Sequence, residues 1–430
     1  MDKDQLSMRI IKLILFIQVF TFYPAFSQVT ISGKLIDEIT GEPVVQAHIL
    51  HQKRSIGTLS DAKGNFVLTL RDFSKDDDIV ISHVTYETAN IKVSSFEQRQ
   101  VIALKTKVVV LEPVLIRPQK FDAAKFMQQV SNAYEKQKKK DPQIAIAHYR
   151  EKAKYDDKYV FFMESIGYGM LMGERRDNTA ALASYKFFCD NTRESLPADA
   201  WLQFRSNVGP QPRTKVFNAS GSTLNEFGMF ELSGPLSKKN NKKYKYELAD
   251  IYELNKQVVY SISFSSADRS GVIDVLKENL QIIKAEYSTR SYISSVFWKR
   301  IKADIKIQFN YFEGIPYLSA VETYYNRDGL EHFNSYTVLA QKFNEFDLDQ
   351  QAFWSFNDWD MNPFIDYRPE EWEVYNIPAE PMWDKIKADL STAEYSLAEQ
   401  FKLNSGKWYM EEGRKNPRAR ITIQELQSAF

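Results

Sequence analysis

Along most of this chain hydrophobic and polar positions alternate, and the period is two. Ile301, Ala303, Ile305, Ile307 and Phe309 are apolar, while Lys302, Asp304, Lys306 and Gln308 between them are polar. Successive side chains of a strand point to opposite sides, so this stretch must bury one face and wet the other. The same pattern predicts strands over 159–164, 244–248, 258–264, 271–275 and 317–325, and together they predict a large, curved antiparallel sheet or half-barrel with a few helices. Upstream, short strands are expected over 29–36, 47–51, 66–70, 79–84 and 91–93. They are punctuated by Thr40-Gly41-Glu42-Pro43 and Asp61-Ala62-Lys63-Gly64-Asn65, turn chemistry that supplies positive φ and places proline where no ladder N–H is needed. That spacing predicts a small antiparallel β-sandwich, so the chain reads as mainly β.

The period changes to a helical one in two places. Asp122 can cap a helix with Phe126, Met127, Val130, Ala133 and Tyr134 on one face, ending at Lys138-Lys139-Lys140 and stopped by Asp141-Pro142. The lysines suit the negative end of the helix dipole and read as a solvated charge run. Near the other end, Met382, Ile386, Leu390, Ala393, Leu397 and Phe401 mark one amphipathic helix. Residues 174–240 lack a clean period and hold Pro197, Pro210, Pro212 and Pro235, which predicts long loops or a covering flap with Trp201 and Phe204 beneath it.

These changes divide the chain. Residues 1–27 read as a signal peptide: Lys3, Arg9 and Lys12 precede an apolar run over 13–22, and Ala25-Phe26-Ser27 offers a small-x-small cleavage site. No second apolar run of ~18 residues follows, so no membrane-spanning segment is expected. The sandwich occupies 28–107, a linker with Pro113 and Pro118 occupies 108–120, a helix and the large sheet fill 121–350, and 351–430 holds an aromatic loop, the amphipathic helix and a basic tail.

Composition narrows the chemistry. Fifty-six basic residues balance 56 acidic ones, which removes the electrostatic motive for binding nucleic acid. The single cysteine, Cys189, excludes an intramolecular disulfide and any Cys-based zinc knuckle, and beside Phe187 and Phe188 it reads as a buried thiol. An export signal with so little cysteine points to the periplasm of a bacterial envelope.

Gly33, Asp37, Thr40-Gly41-Glu42-Pro43, Ala47, Gly57-Thr58, Ser60-Asp61, Gly64-Asn65-Phe66 and Ile81-Ser82-His83-Val84-Thr85-Tyr86 resemble the carboxypeptidase regulatory-like domain, with Thr85 where that family usually has glycine. The domain also stands at the N-terminus of SusC-like TonB-dependent receptors, and the resemblance implies a β-sandwich accessory module without an active site. The middle region, through Leu111-Glu112-Pro113-Val114 and the strands around Tyr244, Val259 and Gly271, is similar to an uncharacterised envelope family that normally adds a C-terminal outer-membrane barrel. More loosely it resembles the half-barrel of periplasmic lipoprotein carriers.

Motifs for catalysis are scarce. Gly167-x-Gly169-x-x-x-Gly173 falls one residue off the dinucleotide fingerprint and lies among antiparallel strands, where it reads as a glycine-kinked strand. There is no Gly-x-Ser-x-Gly, His-Glu-x-x-His or Cys-x-x-Cys. Asp358, Asp360 and Asn362 are spaced as in a calcium loop, but the glycine of such a loop is missing and Pro369 stands at its twelfth position. His48 and His51, three apart on a strand, face opposite sides and cannot share an ion; one is expected buried and one exposed. No cofactor, metal or catalytic residue is assigned.

Four of the seven tryptophans crowd into 354–383. These rings either pack the loop onto the sheet or, since acidic residues and prolines interrupt them so often, form a protein interface with Trp354, Trp359, Tyr367, Trp372, Tyr375 and Trp383 as anchors and Arg414, Arg418 and Arg420 of the tail beside them; sugar stacking is the third reading. The expectation is therefore a non-enzymatic periplasmic accessory or scaffold subunit, peripherally associated with the outer membrane, that binds an outer-membrane β-barrel complex in transport, export or protein assembly. A carrier of lipid, acyl chain or glycan, and an envelope hydrolase of unrecognised type, are the alternatives.

Overall fold

The computed structural model describes residues 28–106, 121–138, 143–171, 185–206, 218–342 and 366–406, apart from short gaps at 46, 52, 54–55, 62, 72, 84–85, 97–99, 240, 255–256, 294–299, 313, 373–374, 376 and 378–379. The stretches expected to be signal peptide, linker and basic tail lie outside these residues.

Seven strands build the N-terminal module: β1 (Gln28–Asp37), β2 (His48–His51), β3 (Ile56–Leu59), β4 (Asn65–Arg71), β5 (Asp78–His83), β6 (Tyr86–Lys92) and β7 (Gln100–Leu104). They form two sheets, β4-β1-β7 and β3-β2-β5-β6, packed over Ile31, Leu35, Ile49, Phe66, Leu68, Ile79 and Ile81. One pairing departs from the antiparallel expectation: β7 returns across the module to lie parallel to β1. At the turn before β4, Gly64 has φ of 76°, and a Cβ there would stand 2.3 Å from the Leu35 carbonyl oxygen, so glycine is required twice over.

The second unit runs α1 (Ala123–Gln137), β8 (Gln143–Tyr155), β9 (Lys158–Leu171), β10 (Tyr185–Glu194), α2 (Asp199–Ser206), α3 (Asn218–Leu232), β11 (Lys245–Leu254), β12 (Gln257–Ser265), β13 (Arg269–Leu276), β14 (Ile282–Ile293), β15 (Arg300–Phe312), β16 (Ile315–Arg327) and β17 (Leu330–Lys342). Asp122 caps α1 as expected, accepting from the Lys125 N–H at 2.9 Å. Ten strands make one antiparallel sheet in the order β10-β9-β8-β17-β16-β15-β14-β13-β12-β11. Residues 185–232, expected to be loops or a flap, instead supply the edge strand β10 and the helices α2 and α3. Trp201 of α2 is buried there, stacked 4.7 Å from Phe161 and 5.8 Å from the His332 ring.

The sheet wraps around α3. Phe227 of that helix lies 5.0 Å from Tyr185 on β10 and 5.8 Å from Phe309 on β15. Those strands are five places apart in the sheet, ~24 Å if it were flat at ~4.8 Å per strand. One ring can touch both only if the sheet curls. Phe230 makes the same point from the other end, at 5.3 Å from Tyr287 on β14 and 6.4 Å from Phe264 on β12. The concave side is thus filled by α3, with α1 beside it through Tyr134 and Phe309, 5.8 Å apart.

The outer face of the sheet carries two other bodies. The module docks on it through Leu50 and Val80, which share an apolar cluster with Ile144, Ile146, Leu339 and Ala340. Farther along, α4 (Pro369–Trp372), α5 (Trp383–Leu390) and α6 (Leu397–Asn404) cover β9 and β10. The single amphipathic helix expected over 382–401 is two helices, because Ser396 starts a new one. Its hydroxyl and the Glu399 carboxylate form a reciprocal capping box. The apolar positions nevertheless keep their role, with Ile386, Leu390, Leu397 and Phe401 buried against Phe162 and Tyr159.

Candidate functional site

Between module, sheet and C-terminal segment lies an open cleft of about 950 Å³. Its floor is the outer face of β14, β15, β16, β17 and β8; Leu59, Ser60 and Asp61 of the module form one wall, and Ile377, Glu380 and Pro381 form the other. Strand register decides what the floor presents. In one row across the sheet stand Glu286, Lys306, Glu322, Ser335, Arg150, Glu164 and Arg193, each paired with the next. The charges alternate in sign except at Ser335. In the adjacent row stand Ser288, Asp304, Tyr324, Phe333 and Lys152. Tyr324 and Phe333 sit side by side with ring centroids 4.7 Å apart, half-buried, while Lys152 lies 5.6 Å over the Phe333 ring.

At the C-terminal wall the row ends in a buried ion network. Glu164 accepts from Arg150 Nε at 2.6 Å and from Arg193 Nε at 2.7 Å, and His148 Nε2 stands 3.2 Å away. Burial opposes ionisation of Glu164, but Arg150, His148 and Arg193 outweigh it and hold the carboxyl below its usual range. Burial also keeps His148 below its usual range, against the pull of Glu164. Arg193 lies under three rings, 4.4 Å from Trp372, 5.0 Å from Trp383 and 5.5 Å from Phe401. Arg150 and Lys152 both reach Glu380, at 3.3 and 2.8 Å, which ties the C-terminal segment to the cleft floor.

That geometry packs the described aromatic residues of the C-terminal segment onto the chain's own sheet. Trp372 is only 8% exposed, and its indole N–H donates to Asn191 Oδ1 at 2.7 Å. Tyr367 packs on Trp372 and Phe401, Trp383 packs 5.4 Å from Phe162, and Tyr375 packs against the cluster that contains Trp372. The chain's own outer sheet face, with Arg193 at its centre, takes up these rings, so they do not form a free anchor row. Trp354, Trp359, Arg414, Arg418 and Arg420 lie outside the described residues, as do Asp358, Asp360 and Asn362.

Other sequence expectations meet their surroundings here. Both histidines of β2 are buried, contrary to the expectation of one exposed, because both faces of the strand are covered. His51 turns inward and lies 3.1 Å from Asp77, and His48 turns toward the large sheet, 3.4 Å from Ser319 Oγ. Gly167 and Gly169 are strand glycines under close contact; a Cβ on Gly169 would stand 1.7 Å from the Tyr336 hydroxyl oxygen. Cys189 is buried, and burial pushes its thiol up to about 12. Among the described residues no cluster of three or more His, Cys, Asp or Glu is arranged to hold a metal ion. Nor is any of their helices long and apolar enough to cross a membrane. Sequence reasoning misses the cleft residues: Lys306 and Glu322 are visibly polar positions, but which strand stands beside which is a tertiary fact.

Comparison with known proteins agrees with the module. Residues 31–116 match the CarboxypepD_reg-like domain. Over 105 residues the chain is 32% identical to the TonB-dependent receptor SusC of Bacteroides thetaiotaomicron, a match that spans 24% of this chain and 10% of the receptor. Among solved structures, a DUF1329 family protein from Desulfovibrio piger is similar with a TM-score of 0.28 and 12% identity, covering 54% of this chain and 98% of its own. A putative outer membrane lipoprotein-sorting protein domain from Vibrio parahaemolyticus has a TM-score of 0.27 and 14% identity, covering 54% of this chain and 97% of its own. Structural similarities of that size say nothing about activity. What the sequence match shows is a CarboxypepD_reg-like module over residues 31–116.

Proposed function

We propose that this chain is a non-enzymatic periplasmic protein that works beside an outer-membrane β-barrel assembly and holds a polar, uncharged ligand of the glycan class in the cleft. The observation that supports the reading is the cleft itself, enclosed by three separate parts of the chain and large enough for an oligomeric ligand. Its lining, walls and floor together, favours hydroxyls. Asp61, Glu286, Asp304, Glu322 and Glu380 outnumber Arg150, Lys152 and Lys306, which works against anions such as phosphorylated lipids. Every floor strand has a paired neighbour on both sides, so the floor offers a ligand no free sheet edge. An extended peptide, which binds sheets through main-chain hydrogen bonds at an edge, gains little there. Alternating carboxylates and lysine can hydrogen-bond sugar hydroxyls, while the Tyr324–Phe333 pair offers a half-buried apolar platform for a sugar ring. An acyl chain on the concave side would have to displace Phe227 and Phe230 of α3. The similarity of the module to part of a TonB-dependent receptor supports the envelope location and the barrel partner.

The test is calorimetric titration of the intact mature protein with neutral linear oligosaccharides, in parallel with an anionic polysaccharide. Binding of a neutral sugar that weakens at least tenfold in Tyr324→Ala, about 1.4 kcal/mol, is expected. Absence of neutral-sugar binding, or binding of the anionic polymer alone, would overturn the ligand class. Reciprocal co-purification from detergent-solubilised envelope tests the barrel partner.

A further inference from the structure

His48 is a buried imidazole whose place no binding role explains. It sits at the centre of the seam between module and sheet. Along β2 it is paired with Leu59 on one side and Ser82 on the other, and its ring meets Tyr317 of β16 edge-on at 5.1 Å. Leu59, its direct cross-strand neighbour, is part of the cleft wall. A small void of about 10 Å³ adjoins the ring, lined by His48, Ser82, Tyr317 and Gln341 among others, too small to solvate a charge.

We infer that protonation of His48 releases the module from the large sheet and so opens the cleft, making the site proposed above responsive to mild acid. The groups facing the ring from each side set the sign. β5 contributes Ser82 and the nearby His83, β16 contributes Tyr317 and Ser319, and β17 contributes Gln341. None of these is a carboxylate. His83 pushes the His48 imidazole in the same direction as burial does, and burial pushes the Tyr317 hydroxyl up, so it stays neutral. A charged imidazole in the seam has one hydroxyl at 3.4 Å and no anion to compensate its desolvation, whereas water solvates it once the module lifts away. In agreement, burial and then His83 bring the docked imidazole down to about 3 from an ordinary 6.5. The undocked state therefore takes up a proton that the docked state refuses. From neutrality to about pH 5 the docking equilibrium should shift about thirtyfold toward release, tenfold for each unit below the ordinary histidine value.

The inference takes its functional meaning from the cleft reading, but its test needs no ligand. Spin labels on Lys63→Cys of the module and Asn326→Cys of the sheet, both exposed, report the separation of the two bodies in the intact chain, since native Cys189 is buried. A population at longer distance is expected to grow between about pH 7.5 and about pH 5. In His48→Phe, which keeps an aromatic ring against Tyr317 without a titrating nitrogen, the distances should not move; His48→Gln, which keeps a polar contact to Ser319, should behave the same. A wild-type distribution that stays fixed, or one that shifts equally in both variants, overturns the inference. Movement that leaves neutral-sugar affinity unchanged would sustain the switch and count against the cleft as the site it governs.

Discussion

The two faces of the large sheet bury charge in opposite ways. On the concave side, α3 places Glu226 and Glu231 among aromatic rings. Glu231 accepts from the Tyr134 and Tyr185 hydroxyls, and burial pushes it up against the pull of Lys138 and those tyrosines. Glu226 meets Arg269 Nη2 at 3.0 Å and the Tyr287 hydroxyl at 3.0 Å, yet burial still pushes it up. On the outer side Glu164 has two guanidinium groups and is held down. Number of cationic partners decides between them: a buried carboxylate with hydroxyls or a single arginine leans toward its neutral form, one between two arginines stays ionised. The concave side is accordingly a packed apolar interior pinned by a few polar bonds. The outer side is a charged surface on which the module and the C-terminal segment are fastened, and the cleft is the part they leave open.

Truncation should separate the two faces most sharply. Phe230→Ala removes a fully buried ring that touches Phe264, Tyr287 and Phe309, and is expected to cost ~3–5 kcal/mol in denaturant unfolding. A loss below ~1 kcal/mol would mean that α3 does not fill the curl of the sheet.

Trp372→Ala should cost nearly as much, about 3 kcal/mol, because it leaves Arg193 without its nearest ring and Asn191 without its indole donor. An unchanged melting temperature with lost co-purification of a partner would instead restore the interface reading.

The carboxylates predict opposite pH slopes. Glu164 lies below its ordinary 4.5 when folded, so the unfolded chain binds the extra proton and stability falls on acidification from 4.5 downward. Glu231 lies above 4.5 when folded, so the folded chain holds the extra proton and stability falls as pH rises from 4.5 toward the folded value. Each is worth up to about 1.4 kcal/mol per pH unit within its window. Glu164→Gln should flatten the acid side and Glu231→Gln the side above it, measured by denaturant melts from about pH 3 to about pH 8. The same slope in both variants would remove the contrast between the faces.

The smallest effect belongs to the fastening of α6. Ser396→Ala deletes the capping hydroxyl on an exposed turn and should cost ~1 kcal/mol without touching the cleft or its ligand affinity.

Legibility in the sequence depends on where each residue's partners lie. Turn glycines, the alternation over 301–309 and the cap at Asp122 report local backbone geometry, and they place the module, β15 and α1 correctly. Regularity fails where burial comes from both sides. α3 is surrounded by sheet, so Leu224, Glu226, Phe227, Phe230 and Glu231 are all buried and no amphipathic period marks the helix. β17 places His332 and Asn334 inward, where Glu151 and Tyr149 satisfy them, which breaks the expected order of apolar and polar positions. The Trp-rich stretch reads as too polar to bury because its counter-charges, Arg193 and Arg150, stand some 180 to 230 residues away in sequence.

By itself, then, the sequence determined a mainly β chain with a small β-sandwich ahead of a larger antiparallel sheet, since hydrophobic period and turn chemistry act over a few residues, and the family of the first module was legible as a resemblance. Tertiary structure alone decided that the sheet curls around α3, that β2 is covered on both faces, and that residues of seven strands line up in one row, five of them beneath an open cleft and two beneath the C-terminal segment. Register, curvature and docking are set by contacts between segments far apart in the chain, and a periodic pattern does not say which strand will lie beside which.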